Sequence, residues 1–146
     1  MNPPVIIRKE CILPFFDTCI PAGFPSPAQD YMEEDIDLQK LLIRHPLATF
    51  LVKVKGESMI NDFIPEGALL VVDKSLKPQH NDIIVGIVNG EFTVKRMTRS
   101  AGRIILQPAN PAFEPLQITE EMNFVVWGVV IHIIIDPKKV NHGRPG

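Results

Sequence analysis

Cysteine is scarce in this chain: Cys11 and Cys19 are the only two in 146 residues. Both lie in a proline-rich stretch with no Cys-x-x-Cys spacing and no companion histidine, so free thiols are expected there rather than a bridge or a metal site. Long apolar runs are missing as well. The strongest, Phe124 to Ile135, is 12 residues long and contains His132, well short of the ~18 to 20 residues a membrane-spanning helix needs. The first residues, Met1-Asn2-Pro3-Pro4-Val5-Ile6-Ile7-Arg8-Lys9, set their apolar side chains before their charges and have no long apolar core, which is not the pattern of a secretory signal. A cytoplasmic protein with no membrane association is the expectation. Nor is there an excess of positive charge, with 15 Lys and Arg against 17 Asp and Glu. The basic residues are scattered, so no footprint for a DNA backbone forms. A helix-turn-helix has no place either, because the chain before residue 45 has room for one good helix. Direct sequence-specific DNA binding is therefore not expected.

The length suits one domain with a loose arm. Residues 1–30 carry Pro3, Pro4, Pro14, Pro21, Pro25 and Pro27 without a sustained period, which predicts a flexible arm lacking helix or sheet ladder. One short amphipathic helix is expected within Asp35-Ile36-Asp37-Leu38-Gln39-Lys40-Leu41-Leu42-Ile43-Arg44-His45-Pro46, where an acidic start, leucines at helical spacing, basic residues and a proline stop follow in order. From Ala48 the text changes to short β segments: 49–55, 69–73, 83–88, 92–97, 104–107 and 125–134. Asn89-Gly90 between two of them signals a two-residue hairpin, since both turn positions want positive φ. The reading is a mostly β domain over residues 31–136 and a frayed polar tail over 137–146.

Within that domain, Gly56-Glu57-Ser58-Met59-Ile60 is followed by Lys95, 37 residues after Ser58, in Phe92-Thr93-Val94-Lys95-Arg96. A serine hydroxyl becomes a useful nucleophile when an adjacent base takes its proton, and a lysine is that base only when burial keeps its amine neutral. Each unit by which burial lowers the lysine pKa costs the fold about 1.36 kcal/mol, so such a placement calls for a functional reason. A Ser-Lys pair needs neither metal nor histidine, and no cofactor is expected.

Three blocks, in order and at fitting spacing, resemble the UmuD branch of the LexA-like self-cleaving serine proteases, the peptidase S24 type. The first is Ala22-Gly23-Phe24-Pro25-Ser26-Pro27-Ala28-Gln29-Asp30-Tyr31. The second joins Gly56 to Ile60 with Gly67-Ala68-Leu69-Leu70-Val71-Val72-Asp73. The third runs from Asp82-Ile83-Ile84-Val85 through Asn89 to Arg96 and closes at Trp127-Gly128-Val129-Val130-Ile131-His132. The resemblance implies a compact twisted antiparallel sheet, barrel-like, with one short helix and a flexible N-terminal arm. It implies Ser58 as nucleophile, Lys95 as base and Ala22-Gly23 as the bond cut. The backbone N–H groups of Ser58 and Met59 are the candidate oxyanion donors. It further implies a homodimer, cleavage stimulated by a RecA filament on single-stranded DNA, and a trimmed product that pairs with a UmuC-like subunit of a translesion polymerase.

Departures from the family pattern fall in loops. Phe63 and Asn81 stand where relatives often have Gly, and Ala68 where they often have Asp. Asn81 tolerates a left-handed turn, whereas Phe63 is expected to bring a ring close to the nucleophile loop. His45 and His80 read as solvated, His132 as packed on one strand face with Val130 and Ile134, and Asp73 and Asp82 as turn caps. Two other classes use the same residues differently. A signal-peptidase-like enzyme shares the chemistry but requires a membrane anchor, and a non-catalytic regulator keeps the fold and binds partners.

Overall fold

Two short strands open the described chain, β1 (Ile12–Asp17) and β2 (Met32–Asp37), paired antiparallel from Ile12↔Asp37 to Asp17↔Met32. The computed structural model describes residues 10–17, 19–27 and 32–139. By internal contacts the chain divides into Met1–Arg44 and His45–Gly146. A ladder in the first unit departs from the expectation of a structureless arm. Pro14 is accommodated because a two-stranded sheet has only edge strands, where a missing N–H need not break a ladder. The residues expected to begin the arm, 1–9, and those that end the tail, 140–146, lie outside the described residues.

The helix α1 (Leu38–Leu42) is shorter than the acidic-to-basic pattern predicts. Asp35 and Ile36 are taken up in β2, and Asp37, its last residue, is also the N-cap, its Oδ1 accepting the N–H groups of Gln39 at 3.0 Å and Lys40 at 3.3 Å.

The second unit contains β3 (Thr49–Lys53), β4 (Leu69–Asp73), β5 (Ile83–Val88), β6 (Glu91–Ser100), β7 (Arg103–Gln107), β8 (Leu116–Gln117) and β9 (Phe124–Ile134). They form one antiparallel sheet in the order β3-β4-β9-β5-β6-β7-β8. The ladder is open at β3 and β8, so the barrel-like expectation gives way to a sheet with two edges. Apolar side chains alternate onto both faces. Met59, Ile64, Ala68, Leu70, Val72 and Val85 form one buried cluster; Ile84, Met97, Leu106 and Val129 form another. Adjacent residues Ile84 and Val85 belong to different clusters, as a period of two requires.

Two irregularities in β9 interrupt that period. Gly128 pairs with Val85 and Val126 with Gly86, which leaves Trp127 as an extra residue; likewise Ile131 is extra between His132 and Val130. The second bulge corrects the reading of His132. Val130 and Ile133 both pack on the first cluster, so His132 no longer shares a face with Val130.

The β5–β6 hairpin turns at Asn89 (φ 48°) and Gly90 (φ 83°), with Val88 opposite Glu91, as the two-residue signal predicts. Its register sets Lys95 opposite Ile84. Asn81 takes φ 74°, the left-handed conformation anticipated before Asp82. Among the described residues no helix is long and apolar enough to cross a membrane.

Candidate active site

After β3 the pairing ends in a bulge in which Val54 faces both Ala68 and Gly67, the Val54 N–H on Ala68 O and the Gly67 N–H on Val54 O, both at 2.9 Å, with Gly67 at φ 90°. The chain then turns at Gly56, where φ is 87°. Met59 and Ile64 drop into the core, 2% and 0% exposed, and the Ile64 N–H returns to Met59 O at 3.2 Å. These two apolar anchors fix the loop between them and leave the preceding residue, Ser58, beside a groove. Asp62 on the same loop accepts from Arg96 Nε at 3.0 Å, tying the loop to β6 one residue beyond Lys95.

Lys95 Nζ lies 3.0 Å from Ser58 Oγ, 2.9 Å from Thr93 Oγ1 and 3.0 Å from Val94 O. A charged ammonium donates to all three. A neutral amine fits equally well, because it has two donors and one lone pair. Val94 O only accepts and Thr93 Oγ1 can accept, which leaves the lone pair for the Ser58 hydroxyl to donate into. Burial of the half-covered amine pushes the Lys95 pKa below the ordinary 10.5, and among the described residues no carboxylate contacts the amine to offset that.

The groove at Ser58 has a volume of about 410 Å³ and is walled by Val52, Val54, Met59, Val85, Phe92 and Trp127 among others. Phe50 and Phe92 flank Trp127 with ring centroids at 4.2 and 4.9 Å, and the bulge at Trp127 belongs to this wall. Phe92 is 62% exposed, leaving an apolar surface open to a chain segment laid along the groove. Among the described residues, neither the Ser58 nor the Met59 N–H donates to a backbone carbonyl, so both are free for an incoming oxygen.

The structure therefore brings Ser58, Lys95 and the two candidate N–H groups together. Ala22 and Gly23 belong to the first unit, in an exposed bend between β1 and β2. Phe63 lies on the nucleophile loop, where it caps the 3-10 turn Ile60–Asp62 in the left-handed region, φ 65°; its ring is 80% exposed and does not line the groove. The preference for Gly at such a position is backbone in origin. His45 has a partner that its sequence position does not announce. Its side chain is exposed as expected of a solvated residue, 49%, and its Nδ1 in addition bonds Asp73 Oδ2 at 2.6 Å. Asp73 caps its turn as expected, accepting from the Ser75 N–H and hydroxyl. Burial alone would raise the Asp73 carboxyl, but the bonds from Ser75 and His45 together hold it below its ordinary value.

Sequence reasoning passed over Thr93, whose signal was available: two residues before Lys95 on one strand, it shares its face. It also passed over Asn110, which is 53 residues from its partner Glu57 and gives no local signal.

Comparison with known proteins agrees with this geometry. Residues 14–131 match the family model described as Peptidase S24-like. Protein ImpA of Salmonella typhimurium is 44% identical over 126 residues, covering 82% of this chain and 81% of that protein. Protein SamA of Salmonella typhimurium strain LT2 is 47% identical over 119 residues, covering 82% and 84%. LexA repressor 1 of Geobacter sulfurreducens is 39% identical over 113 residues, which cover 77% of this chain and 55% of the repressor. A match this long, around a serine and a half-buried lysine in contact, shows that the chain belongs to the peptidase S24-like family.

Proposed function

We propose that this protein is a self-cleaving serine endopeptidase in which Ser58 is the nucleophile, Lys95 the base and the chain's own Ala22-Gly23 bond the substrate. The observation that carries the reading is the 3.0 Å contact between Lys95 Nζ and Ser58 Oγ, with the lysine pKa lowered by burial. Neutral Lys95 takes the Ser58 proton as Oγ attacks the Ala22 carbonyl carbon, and the resulting oxyanion is met by the Ser58 and Met59 N–H groups. Lys95 then gives that proton to the Gly23 nitrogen as the C–N bond breaks. Water attacks the acyl-enzyme as Lys95 takes its proton, and the C–Oγ bond then breaks with Lys95 returning the proton to Ser58 Oγ, which frees the Ala22 carboxylate. Small residues on both sides of the bond let the backbone approach Ser58 closely, and Gly23 permits unusual dihedrals.

The arm is residues 1–30 and the protease-fold domain 31–136, with 137–146 as a tail. Cleavage is stimulated by a RecA filament on single-stranded DNA and occurs in a cytoplasmic homodimer. The trimmed form serves a UmuC-like subunit of an error-prone translesion polymerase in the SOS response to DNA damage. These partners are supported by the resemblance to the UmuD branch, with which the family match and the relatives agree.

Incubation with RecA filaments, followed by N-terminal sequencing of the larger product, tests the reading. A product beginning at Gly23, formed faster with filaments than without, is expected. A different new terminus, or a rate indifferent to filaments, contradicts the corresponding part of the proposal.

A further inference from the structure

The Ser58 N–H belongs to the peptide plane that carries the Glu57 carbonyl, and the Met59 N–H to the plane that carries the Ser58 carbonyl. Both carbonyls are gripped by the segment that follows β7. Asn110 Nδ2 donates to Glu57 O at 2.9 Å, and the Ala109 N–H donates to Ser58 O at 2.7 Å. Among the described residues the only other donor on Glu57 O, the Ile60 N–H, is longer at 3.3 Å. Among the described residues there is no cis peptide bond, and in a trans plane the C=O and N–H point in opposite directions. Holding both carbonyls toward Ala109 and Asn110 therefore turns both N–H groups away from that segment, where neither meets a backbone carbonyl.

Asn110 is itself fixed. Its Oδ1 accepts the Ala112 N–H at 3.0 Å. An N–H only donates and a carbonyl only accepts, so these two contacts allow one orientation of the side-chain amide. The Asn61 N–H bonds back to Ala109 O at 2.8 Å, which closes the brace on the far side of Ser58.

We propose that Asn110 is a positioning residue of the oxyanion site: through the Glu57 carbonyl it sets the direction of the Ser58 N–H, while the Ala109 N–H does the same for Met59. This inference rests on the reading of Ser58 as nucleophile. Asn110 touches neither the serine hydroxyl nor the lysine amine. Its effect is on charge developing in the transition state, where aim matters most, because a mis-aimed donor stabilises little. Proton removal by Lys95 is left as it was.

Two variants of the full chain separate the clamp from the fold. Asn110→Asp keeps the Oδ1 acceptor for Ala112 and loses the donor to Glu57, whereas Asn110→Ala removes both without adding charge. The first-order self-cleavage rate is measured against pH, with the unfolding temperature and the ¹H-¹⁵N signals of Ser58 and Met59. Asn110→Ala is expected to lower the plateau rate about 10²-fold, the scale of losing one oxyanion donor, with an unchanged pH midpoint. Asn110→Asp is expected to move the Ser58 and Met59 amide signals and leave those of Leu70 and Val72 in place. A wild-type plateau in Asn110→Ala, or a shifted midpoint that traces the loss to Lys95, overturns the proposal. So do unmoved Ser58 and Met59 signals in Asn110→Asp. Should the wild-type chain itself stay uncut, the self-cleavage reading fails, and the amide signals still decide whether Asn110 aims these donors.

Discussion

The Thr93 hydroxyl and the Lys95 amine face each other at 2.9 Å, two residues apart on one side of β6. Thr93 and Val94 O together occupy two of the three directions around Nζ, so the third points at Ser58. Thr93→Val preserves the shape and removes one partner. A hydrogen bond of about 1 kcal/mol corresponds to roughly a fivefold slower reaction. The self-cleavage rate of the Thr93→Val protein at the plateau of its pH profile checks this; an unaltered rate would show that the lysine is oriented without Thr93.

The base must be neutral, so the cleavage rate is expected to rise with pH and to level off at a midpoint below the ordinary lysine value of 10.5, because burial lowers the Lys95 pKa. The sign for stability follows. Between the folded and unfolded pKa values the unfolded chain binds more protons, so stability increases with pH across that window. Below the folded value the penalty of covering the charged amine is present in full, and it is relieved as pH climbs toward 10.5. Lys95→Met is therefore expected to be more stable than wild type at neutral pH, by a margin that shrinks in alkali, and inactive throughout. Denaturant unfolding of both proteins across that pH range measures it.

Phe63 holds φ 65° at the end of the Ile60–Asp62 turn while its ring stays exposed. A bulky residue in the left-handed region costs on the order of 1 kcal/mol, and glycine avoids it. Phe63→Gly is expected to stabilise the fold by about 0.5 to 1 kcal/mol, read as a melting temperature a few degrees higher, without changing the cleavage rate. A slower Phe63→Gly enzyme would mean that the ring acts on the nucleophile loop after all.

Asp73 closes the end of β4, taking hydrogen bonds from Ser75 and from His45. Its side chain is 1% exposed, so Asp73→Asn leaves a donor misplaced in a covered site, costing about 1 to 3 kcal/mol. The folded carboxyl titrates below its ordinary 3.8. Its contribution is present above that value and is lost as pH falls through the folded one. Chemical unfolding at neutral pH and again in strong acid should show a difference between the proteins that disappears in acid.

Much of this fold is legible in the sequence because its strands are local statements. The segments 69–73 and 83–88 coincide with β4 and β5, and Asn89-Gly90 sets the register that delivers Lys95. Where the reading departs from the structure, tertiary pairing decides. Asp35 and Ile36 look like a helix start, yet pair with Pro14 and Leu13. Leu116–Gln117 is a strand only because β7 lies beside it. The bulges at Trp127 and Ile131 carry no sequence mark, so the face of His132 came out wrong. The contact between Ser58 and Lys95 is legible because the turn and strand motifs around them are written locally. Asn110 and the His45–Asp73 bond are not, because they join segments 53 and 28 residues apart.

The most direct test of the central claim is the intact mass of purified wild-type, Ser58→Ala and Lys95→Ala proteins after incubation at mildly alkaline pH and with RecA filaments. Loss of residues 1–22 from the wild-type chain alone is the predicted result. If all three stay whole under both conditions, or if either variant is trimmed as fast as wild type, Ser58 and Lys95 do not form a self-cleaving pair.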